Sequence, residues 1–418
     1  MYKKTILANG MRVLTDTMPG FRSATVGIWA DVGSASEPHE RRGISHLVEH
    51  MLFKGTPRRS ARQIAETMDG VGGNLNAFTD KESTCYYAKV IDRHVPLALE
   101  VLADMFLHSS FDPGELDKEQ KVVLEEIKMY EDAPDELIHD IFLQTMWGGS
   151  NLGEPTIGFA ETVVSVTPDD LRAHMRSHYA PNSVIVAAAG NVDHDRFVEL
   201  VREEFKEFEG MCPTSPAEEP ATTPGRHVRE KESEQAYVVL GTRGVTMRDE
   251  RRYALSVLDT VLGGGMSSRL FQEIREKHGL VYSVYSFQAA YRGAGLFGVY
   301  AGTSPRNVQS CVDLIVAEFD RIKAEPIGRD EFRLAQEHIK GNLTLSLEST
   351  SSRMIRLGRN ELALGRYVST EEVERRVDAV TPEEVAELAG ELLTDDNFGL
   401  AIVGPVDELE INFRVDAA

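Results

Sequence analysis

Residues 166–171 read VTPDDL, and residues 380–385 read VTPEEV. Each is followed by a helix-like run and then by an apolar, glycine-containing strand, NSVIVAAAGNVD at 182–193 and NFGLAIVGPVD at 397–407. The step from Val166 to Val380 equals the step from Gly190 to Gly404, so the two copies keep register with no net insertion between the paired points. Thr167 and Thr381 suit the N-cap of a helix, and the proline after each suits the first helical position. The chain therefore reads as two copies of one unit. Between the copies, residues 211–235 read MCPTSPAEEPATTPGRHVREKESEQ. Four prolines in a polar stretch without helical or strand periodicity mark a linker. The expected organisation is an N-terminal domain at 1–210, the linker, and a homologous C-terminal domain at 236–418. Strand-like runs at 24–32, 83–90, 235–241 and 294–301 alternate with helix-like runs. The fold class is α+β: two domains, each a mostly antiparallel or mixed β-sheet covered by helices. Two such domains on a linker make a clam-like chamber, and a cleft between domains is a common place for a site.

The 418 residues carry a formal charge of −22. That excess argues against a nucleic-acid partner and against an anionic membrane surface, and favours a basic ligand if the ligand is charged. The longest apolar stretch, near 184–189, is far short of a membrane span. The first residues lack the apolar core of a secretory signal and the arginine-rich character of a transit peptide. Cys85, Cys212 and Cys311 are widely separated, which suits a reducing compartment and gives no cysteine-type metal site. The expected location is cytoplasmic.

The chemistry lies in residues 43–55, GISHLVEHMLFKG, followed by Thr56-Pro57. Glycine at both ends and proline beyond predict a helix of about three turns. Ile44, Leu47, Val48, Met51 and Leu52 fall on its core face. His46, Glu49, His50 and Phe53 fall on the other. Two imidazoles one turn apart can ligate one metal ion, with Glu49 beside it, and this H-x-x-E-H order is a zinc-protease signature. A catalytic zinc needs a third protein ligand and an open position for water. Residues 112–132, DPGELDKEQKVVLEEIKMYED, begin as a capped helix and offer Glu119, Glu125 and Glu126. Glu119 and Glu126 share a face and Glu125 points about 100° away from Glu126. Position alone leaves all three open.

The second copy has lost the motif. Lining up Arg41-Arg42 with Arg251-Arg252 puts Ser256, Asp259 and Thr260 where His46, Glu49 and His50 stand. One Zn²⁺ per chain is expected. Gly263-Gly264-Gly265 lacks the ending of a phosphate loop and reads as a turn.

Three segments together, HLVEH, VVLEEIKMYEDAPDE and SRLFQEIREKHGLVYSV, resemble the pitrilysin/insulinase-type (M16) inverzincin metallopeptidases, and most of all the bacterial relatives of the mitochondrial processing peptidase β-subunit. The resemblance covers both halves and the linker. It implies that the third ligand is Glu126, that Glu119 is the acidic residue behind the ligands, and that Glu125 is off the site. It also implies that Gly72 to Thr79 is an edge strand that binds an extended peptide through Asn74, Asn76, Ala77 and Phe78, by β-augmentation. Arg275 and Tyr282 match the family's Arg–Tyr pair, thought to reach from the second domain to the substrate. Glu136 and Asp140, at i and i+4, match the acidic pair that holds an arginine two residues before the cut. The implied activity is a zinc endopeptidase acting on unfolded or extended peptides, with Glu49 as general base and Tyr282 helping to stabilise the oxyanion. A homodimer or a pair with a paralogue is implied as well. The alternative is a catalytically silent scaffold or partner subunit of the same family, which typically loses parts of the metal motif.

Overall fold

The computed structural model describes residues 1–213, 217–407 and 411–413; Pro216 of the expected linker lies outside them. The chain forms two compact units. The first comprises residues 1–127, the described residues of 155–216, and 346–367. The second comprises 128–154, 217–345 and the described residues of 368–418.

The first unit is built on six strands: β1 (Tyr2–Ile6), β2 (Arg12–Thr17), β3 (Ser23–Ala30), β4 (Asn74–Thr79), β5 (Thr84–Ile91) and β6 (Val184–Gly190). Their order is β1-β2-β6-β3-β5-β4. Only β2 and β6 run parallel; the other pairs are antiparallel. The second unit has β7 (Arg226–Glu230), β8 (Ala236–Arg243), β9 (Val281–Ala290), β10 (Gly295–Thr303) and β11 (Gly399–Gly404), in the order β7-β11-β8-β10-β9. Again one pair, β7 with β11, is parallel. Without β1, the two sheets have the same connectivity. The repeated strands β6 and β11 occupy the same slot in each. The repeated VTP segments cap the helices Pro168–His178 and Pro382–Leu392. Thr167 and Thr381 accept from the backbone of Asp170 and Glu384, whose side chains return the bond.

Each sheet is covered on both faces, which explains why β6 is buried at every position. On one face of the first sheet, Val26 and Ile28 pack with Leu47, Val48, Met51 and Leu52 and with the helix Val95–His108. On the other face, Leu14, Trp29, Ile185 and Ala187 pack with Met354 and Leu357 of the helix Thr350–Leu364. That helix comes from the second half of the sequence. Gly358 lies so close to Trp29 that a Cβ there would be 2.2 Å from the indole ring. Arg353 pairs with Asp16 at 2.9 Å and Lys4 with Glu361 at 2.6 Å. In return, the helix Pro134–Trp147 from the first half packs on β8 and β11. The compact units are therefore not the contiguous segments 1–210 and 236–418. Each half gives a helix to the other's sheet, because each sheet has a second apolar face to cover. Burying one Leu or Met side chain contributes roughly 1.5–3 kcal/mol, and Met354 and Leu357 are both fully or nearly buried.

Candidate metal centre

The motif helix spans Ile44–Leu52 and stops short of the expected three turns. Phe53 and Lys54 donate to the carbonyls of His50 and Met51, three residues back, and this tightening ends the helix. Phe53 consequently packs against the core instead of sharing the polar face. The apolar face, with Ile44, Leu47, Val48, Met51 and Leu52 all buried, fixes the helix against β4 and β5. That leaves His46, Glu49 and His50 on the face toward the helix Pro113–Asp132.

Three side chains converge there. His46, His50 and Glu126 each offer one ligand atom, all within 4.8 Å of one another. Glu126 Oε2 lies 3.9 Å from His46 Nε2 and 3.7 Å from His50 Nε2. These distances are too long for hydrogen bonds. Metal–nitrogen bonds of about 2.0–2.1 Å in a tetrahedral set put ligand atoms roughly 3.4 Å apart, so a zinc-sized ion needs only small adjustments. Burial, with His50 nearby, lowers the His46 pKa to about 3. Its imidazole is neutral and has a lone pair to give. The residues fit a divalent metal of the zinc class.

Glu119 is buried behind the group. It meets His50 Nδ1 at 3.1 Å through one oxygen and Lys54 Nζ at 2.6 Å through the other. This contact holds the His50 ring with Nε2 toward Glu126, the arrangement that orients metal-bound histidines. Glu125 is exposed and outside the group. Glu49 accepts a 2.6 Å hydrogen bond from Thr79 Oγ1. Burial raises its pKa most, Thr79 and His50 pull it back, and Glu126 and Asp80 add to the rise.

Thr79 ends β4, the edge strand next to the motif helix. Asn74 and Asn76 are exposed, Asn76 Oδ1 accepts from the Ala77 backbone at 2.8 Å, and Phe78 stands edge-on to Trp29. β4 pairs only with β5 among the described residues, so its other edge has no strand partner.

The remaining sequence candidates belong to the second unit. Arg275 is on a π-helical turn, Phe271–Lys277, with its guanidinium carbon 4.7 Å from the Phe271 ring centre and 5.6 Å from that of Tyr282. Tyr282, on β9, is 77% exposed. Glu136 and Asp140 lie one turn apart on the helix Pro134–Trp147. Between them His139 meets the Tyr285 hydroxyl at 3.1 Å. Burial lowers the His139 pKa, while Glu136, Asp140 and Asp135 oppose that shift.

Sequence reasoning assigned no role to Lys54 or Tyr285, and took Thr79 only as the end of the peptide-binding strand. Lys54 meets Glu119 across the fold, beyond the end of the motif helix. Thr79 and Tyr285 meet their partners only through tertiary structure.

Residues 12–159 match the family model described as Insulinase (Peptidase family M16), and residues 165–339 match the Peptidase M16 inactive domain. The inactive-domain match thus begins beyond all three converging side chains. The chain is 45% identical to an uncharacterized zinc protease of Bacillus subtilis, covering 97% of this chain and 98% of that one. It is 43% identical to an uncharacterized zinc protease of Streptomyces coelicolor, covering 99% and 92%. Two solved structures superpose with TM-scores of 0.90. One is a peptidase M16 inactive domain from Pseudomonas fluorescens, 20% identical, covering 97% of this chain and 98% of that one. The other is a protease from Helicobacter pylori, 22% identical, covering 97% and 99%. At those identities the superpositions speak for the fold alone. By its family matches and these relatives, the chain belongs to the M16 family of metallopeptidases.

Proposed function

We propose that the protein is a zinc endopeptidase that cleaves extended peptides. The observation that carries this reading is the convergence of His46, His50 and Glu126 beside a partly buried carboxylate of raised pKa, Glu49. His46, His50 and Glu126 would hold one zinc ion, which would supply Lewis acidity at the site. Glu49 takes the proton from the attacking water and passes it to the leaving amine. Its raised pKa brings its proton affinity closer to the working pH, where a base that must later act as an acid is most effective. Thr79 fixes one Glu49 oxygen and leaves the other free for the proton. Glu119 holds His50 in its ligating tautomer by accepting from Nδ1, and Lys54 holds the other Glu119 oxygen in place by direct pairing.

The unpaired edge of β4 receives the peptide backbone as an added strand. Arg275 and Tyr282 contact the peptide or the developing oxyanion. Glu136 and Asp140 give a preference for a basic residue upstream of the cut. A homodimer or paralogue pair and a cytoplasmic location complete the reading. The three cysteines are free and buried, and no described helix is long and apolar enough to cross a membrane.

The test is elemental analysis of the purified chain together with cleavage of an unstructured peptide. One zinc per chain and turnover that is lost in Glu49→Gln without loss of zinc are expected. A chain with no zinc and no cleavage would favour the silent scaffold subunit, and zinc without cleavage a partner-dependent subunit.

A further inference from the structure

The motif helix lacks a cap of its own. Its N-cap residue is Gly43, with φ of +88° and no side chain to accept from the first turn. A side chain is also sterically barred: a Cβ at Gly43 would lie 2.5 Å from the Ile157 carbonyl oxygen. The exposed N–H groups of a helix start need acceptors, and losing a cap typically costs about 1 kcal/mol.

Glu37 supplies two of the missing acceptors from outside the helix. Its Oε2 accepts from Gly43 N at 2.8 Å and its Oε1 from Ser45 N at 2.7 Å. With both oxygens engaged, the carboxylate is fixed in its plane and sits on the positive end of the helix dipole. Glu37 is 1% exposed. The surroundings are equally fixed: Thr162 Oγ1 donates to the Arg42 carbonyl at 2.7 Å, Arg42 donates to Ser34 O at 3.2 Å, and the Ser45 hydroxyl meets His174 Nε2 at 3.3 Å. No step assigned to Glu49 or to the metal-holding residues uses Glu37. Ser45 is the residue before His46, so fraying of this turn displaces His46 first.

We propose that Glu37 is a positioning residue for the metal centre: by bonding the Gly43 and Ser45 amides it fixes the first turn of the motif helix, and so the place of His46, before any metal binds. This inference rests on the zinc-site reading above.

The experiment compares wild type with Glu37→Gln, which keeps the size but turns one acceptor into a donor facing an N–H. Zinc affinity is measured by chelator competition, and amide exchange at Ser45 is followed in the zinc-free protein. Changes behind metal ligands typically cost 10–100-fold in affinity. An affinity loss of about that size is expected, with faster Ser45 exchange and an unchanged far-ultraviolet spectrum. If the variant does not fold, the zinc-free wild type decides: its Ser45 amide is expected to be protected already. Unchanged zinc affinity in Glu37→Gln, or wild-type protection of Ser45 that arises only on adding zinc, overturns the proposal. Wild type that binds no zinc overturns the site reading, while the exchange of Ser45 still reports on Glu37.

Discussion

The helix Ile44–Leu52 of the first unit and the helix Arg252–Gly263 of the second each pack against the edge strand of their own sheet, β4 and β9. Each carries a partly buried carboxylate hydrogen-bonded to a hydroxyl on that strand. Glu49 accepts from Thr79 at 2.6 Å, and Asp259 accepts from Ser286 at 2.5 Å. Burial raises the pKa of both. The difference lies one turn before the carboxylate and at the residue after it. Where the first helix has His46 and His50 facing Glu126, the second has Ser256 and Thr260, whose hydroxyls bond back to the carbonyls of Arg252 and Ser256. A perturbed carboxylate against an edge strand thus belongs to the fold that both units share. A perturbed pKa in such a place is a weak sign of catalysis by itself; the imidazoles and Glu126 make the first unit different.

Substituting the two carboxylates gives the largest separation. Glu49→Gln is expected to retain zinc and lose about 10²–10⁴-fold in turnover, the usual worth of a positioned general base. Asp259→Asn is expected to leave zinc content and turnover within about twofold of wild type. Replacing His46, His50 or Glu126 with Ala should remove both zinc and activity. Steady-state kinetics with metal analysis on the same preparations checks all of these. Loss of turnover in Asp259→Asn at full zinc occupancy would break the comparison.

The second unit is next. The strand that meets Asp259 also carries Tyr282, and Arg275 lies over its ring. Arg275→Ala and Tyr282→Phe are each expected to lower kcat/KM by roughly 10–100-fold, the scale of one lost stabilising donor, with zinc stoichiometry intact. Zinc loss in either variant would assign these residues to folding. A smaller effect is expected on specificity. A guanidinium held by two carboxylates is a strong, oriented pair. Glu136→Gln with Asp140→Asn should therefore erase about a tenfold preference for peptides with arginine upstream of the cut, while cleavage of neutral peptides changes far less. A cleavage map of wild type without basic enrichment upstream of the cut would remove this subsite.

The parts of this molecule that were legible in its sequence are those written in local period. The H-x-x-E-H spacing places two imidazoles on one helix face whatever surrounds it. The VTP caps and the glycine-bounded strands repeat in register, so the two matching sheets follow from the repeat. What was hidden depends on contacts far apart in sequence. The exchange of the helices Pro134–Trp147 and Thr350–Leu364 cannot be read from either helix, since an apolar face says that it is covered but not by which sheet. Gly358 against Trp29 is the same kind of information, a close approach visible only after the helix has docked. Glu37 carries no local signal, because a cap supplied from outside the helix does not follow the local capping pattern. The early end of the motif helix at Leu52 is local instead: Gly55 marks the end of the segment, and the tightened turn at Phe53 and Lys54 before it decides where the helix stops.

The smallest expected effect tests the shared carboxylate most directly. Asp259 has its pKa raised by burial, against the opposing bonds from Ser286 and Gln288. Folding therefore favours its protonated form. The stability this confers is fully present below the carboxyl's ordinary pKa and is lost as pH rises through the raised, folded value. Asparagine stays neutral throughout and keeps an acceptor for Ser286. Asp259→Asn is thus expected to cost on the order of 1 kcal/mol at low pH, the scale of one imperfect hydrogen bond, and the deficit should narrow as pH rises past the ordinary carboxylate range. Denaturant midpoints of the zinc-free wild type and variant, compared at matched pH between about 4 and 8, measure it. A deficit that widens with pH would mean that the second unit holds Asp259 as an anion. Its polar surroundings would then have to favour charge, and the likeness to Glu49 would be one of position only.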